Sequence, residues 1–203
     1  MSNVLIERLP TSVEIDGREY PLDTDFRTCL RIILAFEDPD LAQAEKVSVM
    51  LTLLYLEQPE NTEKAAELAV NFLDGGGESE DENGEEGPKP RIYSFEKDAQ
   101  YIFSAFRQTH GIDLETVDYL HWWKFLYLFM DLGEDAFFVR LVSLRKRQVD
   151  GKLTKDEKKA VEEMGAIFQV PQNQPMTWQE RESASRFMEL LQQGESEREH
   201  ERP

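Results

Sequence analysis

Residues 119–132 read YLHWWKFLYLFMDL, and eleven of these fourteen side chains are aromatic or aliphatic. Around a helical wheel, Tyr119, Leu120, Trp122, Trp123, the run 125–130 and Leu132 leave almost no polar arc. A helix that is apolar on all sides is normally enclosed by other helices. The segment is therefore expected to be the central helix of a mainly α bundle, with a partner-binding groove or self-association face as the alternative. It is too short to span a bilayer, and Lys124 sits in its middle. The residues singled out here as core or partner-binding are Trp122, Trp123, Phe125, Phe129, Phe137 and Phe138.

Moving outward, Asp113 or Thr116 is expected to begin this helix and Gly133 to end it. A helix over 135–147 follows, with Phe138, Leu141, Val142 and Arg145 at helical spacing. Thr154 and Glu157 form a capping box for a helix reaching about Phe168. Pro171 and Pro175 break it, and Thr177 caps an amphipathic helix over 178–193 with Phe187, Leu190 and Leu191 on its apolar side. The last ten residues are polar and are expected to fray. Upstream, Ser94 is expected to cap a helix reaching about Thr109, with Phe95, Ala99, Ile102, Phe103 and Phe106 inward and Gly111 as terminator.

The amino-terminal part reads as two short strand regions, 3–8 and 12–22, with a hairpin at Asp16-Gly17, since a type I′ turn needs positive φ at both central residues. Three helices follow. Thr24 or Asp25 caps 26–36, with Phe26, Cys29, Leu30, Ile33 and Leu34 inward. Asp40 caps 41–57, and Asn61 or Thr62 caps 63–73, with Ala66, Leu68, Ala69, Phe72 and Leu73 inward. Asp74 followed by three glycines stops the last of them. The expected organisation is thus about seven helices plus a small amino-terminal β-hairpin. Residues 1–74 hold the hairpin and three helices, 75–90 an acidic linker, 91–170 the Trp-rich helical region, and 171–203 a terminal helix and tail. One composite domain is favoured over two, because three helices and a hairpin make a marginal core alone.

The formal net charge is −18, and residues 75–87 contribute six acidic groups and no basic one. That stretch cannot offset its ordering entropy by burial, and it lacks the ligand spacing of a calcium loop. Binding to nucleic acid needs clustered cations. The one basic cluster, Arg140 with Arg145, Lys146 and Arg147, falls where a helix should end and there complements the helix dipole. The charge instead favours solubility and attraction to a basic partner. No run is long and apolar enough to cross a membrane, and the opening MSNVLIERLP lacks a secretory pattern, so a cytoplasmic location is expected. Cys29, the single cysteine, is expected to be a buried small hydrophobe.

Catalytic chemistry finds little support. His110, His121 and His200 lie far apart, and no Cys or second His stands at metal-ligand spacing. No phosphate-binding loop or nucleophile elbow is present. Neither metal nor cofactor is expected, and the chain is read as a non-enzyme; a small metal-dependent nuclease is the weaker alternative.

Several segments resemble the gene-product-fifteen family found among tail genes of long-tailed phages and prophages of Gram-positive bacteria. They are YSFEKDA at 93–99, YIFSAF at 101–106, GIDL at 111–114, HWWKF at 121–125 and LGED at 132–135. Leu9-Pro10, Ile15-Asp16-Gly17, Tyr20-Pro21-Leu22 and Asp25-Phe26-Arg27 are also similar. The family pattern often carries a proline near Gly133, which this chain lacks, and the stretch after Phe168 has no counterpart. The resemblance implies a tail assembly chaperone that coats the tape-measure protein until tail-tube subunits replace it, absent from the mature virion. The alternative is a structural virion protein, a head–tail completion or tail-tip subunit. It implies no catalytic residues.

Overall fold

The structure, a computed structural model, describes residues 4–76 and 90–170. The expected terminal helix over 178–193, His200 and most of the acidic linker lie outside the described residues. The chain divides into two compact units: the described residues of 4–76 belong to one and those of 90–170 to the other. Among them are seven α-helices and one two-stranded antiparallel sheet, so the protein is mainly α with an amino-terminal hairpin.

In the first unit, β1 (Ser12–Ile15) and β2 (Arg18–Pro21) pair in the register Val13↔Tyr20 and Ile15↔Arg18. Asp16 and Gly17 both adopt positive φ, 50° and 79°, as a primed turn demands. Residues 4–7 are not a strand; they turn, and Leu5 and Ile6 are 91% and 81% exposed. The extended partner comes from elsewhere: Leu22 bridges Tyr55, and the Leu56 N–H donates to the Pro21 carbonyl at 3.0 Å.

Helix α1 (Phe26–Glu37) is capped by Asp25, whose carboxylate accepts from the Arg27 N–H at 2.9 Å. Its inner stripe is Phe26, Cys29, Ile32 and Phe36, whereas Leu30 and Ile33 are half-buried and Leu34 is exposed. A wide apolar arc admits more than one stripe, and packing selects which side faces inward. Helix α2 (Gln43–Leu54) starts at Ala42 rather than Asp40; the Glu45 carboxylate accepts from the Ala42 N–H at 2.8 Å. Asp38 instead receives the Asp40 N–H in a local turn. The helix stops three residues before the expected end because Tyr55 turns extended to pair with Leu22. Buried Lys46 donates from Nζ to the Phe36 carbonyl at 2.8 Å, placing a cation at the negative end of α1. Helix α3 (Thr62–Leu73) is capped by Asn61, which also donates to Asp16 at 2.9 Å and so ties helix start to hairpin turn. Its inner face is Ala65, Ala66, Ala69, Phe72 and Leu73, with Leu68 half-buried. Gly75 and Gly76 end it at φ 77° and 70°.

Burial first, then the charges of Asp23 and Asp25, pushes the Cys29 thiol well above its ordinary range. Burial does the same to the Tyr55 phenol, whose hydroxyl donates to the Ala65 carbonyl at 2.8 Å. The unfolded chain loses these protons from about pH 8.5 for a thiol and about pH 10 for a phenol, while the folded state keeps them. The folded state then binds more protons, so this stability is full below those values and falls as pH rises. The urea midpoint is expected to drop between about pH 8 and about pH 10.5, and Cys29→Val should remove the thiol's share of that slope. A thiol reagent should label Cys29 only on unfolding. Rapid labelling of the native protein would contradict this assignment.

In the second unit, the chain runs through an irregular stretch and a turn into α4 (Ala99–His110). Ser94 caps that preceding turn rather than the helix, accepting from the Lys97 N–H at 3.2 Å. Phe106 and Ile102 lie inward as expected, Ala105 joins them, and Ala99 is exposed. Gly111, at φ 67°, closes the helix. Helices α5 (Trp122–Met130), α6 (Phe137–Val149) and α7 (Lys155–Met164) follow. The Thr154–Glu157 capping box forms as read. Helix α7 buries none of its residues fully; Ala160, Val161 and Met164 form a half-buried stripe, and Arg147 pairs with Glu157 at 2.6 Å near its start. It ends at Met164, four residues early. Gly165 adopts φ 51°, and a 3-10 turn (Gly165–Ile167) brings Phe168 into the core at 3% exposure.

Candidate functional site: a two-faced aromatic helix

The Trp-rich helix begins later than expected. Asp113 organises a turn, accepting the Glu115 N–H at 3.0 Å, and does not cap the helix. The cap is His121, whose Nδ1 accepts from the Trp123 N–H at 3.1 Å. Helix α5 is therefore nine residues long, WWKFLYLFM. Its carboxyl end is tied to α4. The His110 Nε2–H donates to the Leu128 carbonyl at 2.8 Å, and the Gly133 N–H donates to the Thr109 hydroxyl at 3.1 Å.

Enclosure on all sides is not what the structure shows. On the inner side, Trp122 and Phe125 are 0% and 1% exposed. Phe125 stacks on Phe106 at 4.9 Å and on Trp122 at 5.5 Å, each at an interplanar angle of 12°. Phe129 extends this stack and meets Tyr93, Phe95 and Phe138 at 5.5, 5.3 and 5.5 Å. The outer side carries a second apolar stripe: Trp123, Leu126 and Tyr127 are half-buried, and Met130 is 74% exposed. These positions stand at i, i+3, i+4 and i+7, the spacing of one helix face. Of the six residues singled out from sequence, Trp122, Phe125 and Phe138 lie in the core, and Phe129 is half-buried in the ring cluster. Trp123 lies on the outer stripe, and Phe137 is 38% exposed against Tyr101 at 4.9 Å.

The sequence on either side of α5 is acidic. Glu115 and Asp118 precede the helix in sequence, Asp131, Glu134 and Asp135 follow it, and all five are exposed. Between Gly111 and Val139 the chain has one Lys or Arg, Lys124.

Sequence reasoning missed the centre that holds this unit together. Arg145 does not serve a helix end; its side chain is 3% exposed and pairs with Asp98, itself fully buried. Nη1 and Nη2 bind the two carboxylate oxygens at 2.6 and 3.0 Å. Nε donates to the Phe168 carbonyl at 2.9 Å, Nη2 to Ile167 at 2.8 Å and Nη1 to Ile92 at 3.2 Å. Asp98 in turn accepts the Ser94 N–H at 3.0 Å. A sequence signal existed: Arg145 continues the Phe138–Leu141 stripe, and a cation on a buried stripe needs a buried partner.

Among the described residues, no group of three or more His, Cys, Asp and Glu is placed to hold a metal ion, and no helix is long and apolar enough to cross a membrane. Comparison with curated proteins and with solved structures returns no match. A family described as bacteriophage Gp15 protein matches residues 5–170. That match takes in the hairpin, the seven helices of the described residues and the Arg145 centre, and by it the chain belongs to the bacteriophage Gp15 protein family.

Proposed function

We propose that this protein is a phage tail assembly chaperone that covers the tape-measure protein during tail morphogenesis. Membership of a bacteriophage family suggests a structural or assembly role. The observation that carries the finer reading is α5 itself, an apolar helix whose inner rings are packed while Met130 stands 74% exposed. Apolar helix faces receive amphipathic helices. A long client with repeated apolar stripes would be held by many weak, replaceable contacts. The net charge of −18 keeps the loaded assembly dispersed. On this reading the protein is not an enzyme, needs no cofactor, acts in the host cytoplasm without touching nucleic acid or membrane, and leaves before the virion matures.

Co-expression with the tape-measure protein of the same phage is expected to keep that client in the soluble fraction. A client that precipitates equally with and without this chain defeats the proposal. Mass spectrometry of purified particles separates it from a structural role, because a virion subunit would be retained in stoichiometric amount.

A further inference from the structure

We propose that residues 152–168 form a detachable strap. Helix α7 and the 3-10 turn after it lift off α4–α6 as one piece when Phe168 withdraws, while the Arg145–Asp98 pair and the aromatic stack stay in place. This motion is independent of the shielding role above.

The strap is held chiefly at its two ends. At its start, the Lys152 N–H donates to the Arg147 carbonyl at 2.8 Å, and Arg147 pairs with Glu157. Along its length, α7 contributes the half-buried Ala160, Val161 and Met164 and no fully buried residue. At its far end, Phe168 is 3% exposed, and the carbonyls of Ile167 and Phe168 accept from Nη2 and Nε of Arg145 at 2.8 and 2.9 Å. Gly165 joins α7 to that anchor at φ 51° and ψ −121°, a conformation open to glycine. By contrast, α4 buries Ile102, Ala105 and Phe106, and α6 buries Phe138, Leu141 and Arg145. Segments with few buried apolar contacts open locally, at free energies below that of global unfolding.

The catch releases without stranding a charge. Of the five hydrogen bonds of Arg145, three reach Asp98 and Ile92, which precede the strap, and two reach the strap itself. Lifting the strap keeps the first three, so Asp98 retains its partner and no buried ion is left alone. The two donors and two carbonyls set free pass to water, which replaces most of what they lose. Burial of the Phe168 ring is therefore what chiefly keeps the strap down.

The test is native-state hydrogen exchange of the full chain, read by mass spectrometry where reclosing outruns exchange. In the wild type, amides of α7 are expected to exchange at least about tenfold faster than those of α4 and α6. Phe168→Ala removes the anchor and should speed α7 at least about tenfold further. Phe168→Leu, a milder truncation, should shift α7 the same way by a smaller factor, and it keeps the test readable if the Ala variant does not fold. Phe106→Leu trims the aromatic stack, which is intact whether the strap is down or lifted. It should speed α4 and α6 and leave α7 unchanged.

Exchange of α7 in step with α4 and α6, or its acceleration by Phe106→Leu, would make the strap part of the core and overturn the inference. Exchange of α7 unmoved by either Phe168 variant would overturn it too, because the helix would then be fraying by itself rather than lifting with its anchor.

Discussion

Arg145→Ala is expected to destabilise the unit containing residues 90–170 by about 3–5 kcal/mol, the cost of leaving one member of a buried ion pair alone. Asp98 would keep a buried charge, and the carbonyls of Ile92, Ile167 and Phe168 would lose their donor. Arg145→Lys should recover little of the loss, because an ammonium supplies a point charge where five hydrogen bonds need a planar fork. Replacing both partners with apolar residues often rescues a buried pair, but here it should rescue only partly, since the three carbonyls stay orphaned. Urea denaturation followed by tryptophan fluorescence reads this directly, as Trp122 and Trp123 both lie in the affected unit. A Lys variant as stable as wild type would show that charge, rather than the carbonyl contacts, is what matters.

Trp122→Ala is expected to cost about 3–5 kcal/mol, and Trp123→Ala roughly 1 kcal/mol, although the two residues are adjacent and chemically identical. Trp122 is fully buried and stacked on Phe125, so truncation opens a cavity inside the ring cluster. Trp123 is half-buried on the outer stripe, so truncation removes surface that water partly covers already. Equal destabilisation by both changes would mean that the outer stripe is packed as tightly as the inner one.

What could be read from sequence was local. Asp25, Asn61 and the Thr154–Glu157 box cap their helices through bonds spanning no more than three residues, and the Asp16-Gly17 turn is decided by its own two φ angles. These features belong to the segment itself, so a linear reading reaches them. Two of the misreadings depended on distant partners. Helix α2 stops early because Leu22 claims Tyr55 across the unit. Arg145 looked like a helix-end cation because Asp98 lies 47 residues away. The outer stripe of α5 was hidden for a different reason. A wheel without a polar arc carries no direction, so only the packing of Phe106 and Phe138 against one side reveals the other.

The carbonyls that Arg145 gathers come from opposite extremes of its unit, Ile92 near the beginning and Ile167 and Phe168 near the end. Tension applied along the chain from residues 90 and 170 would therefore reach this guanidinium before it loaded any helix. The fork is placed as a buckle, fastening the two extremes of the unit to one side chain, so Arg145→Ala is expected to loosen both together.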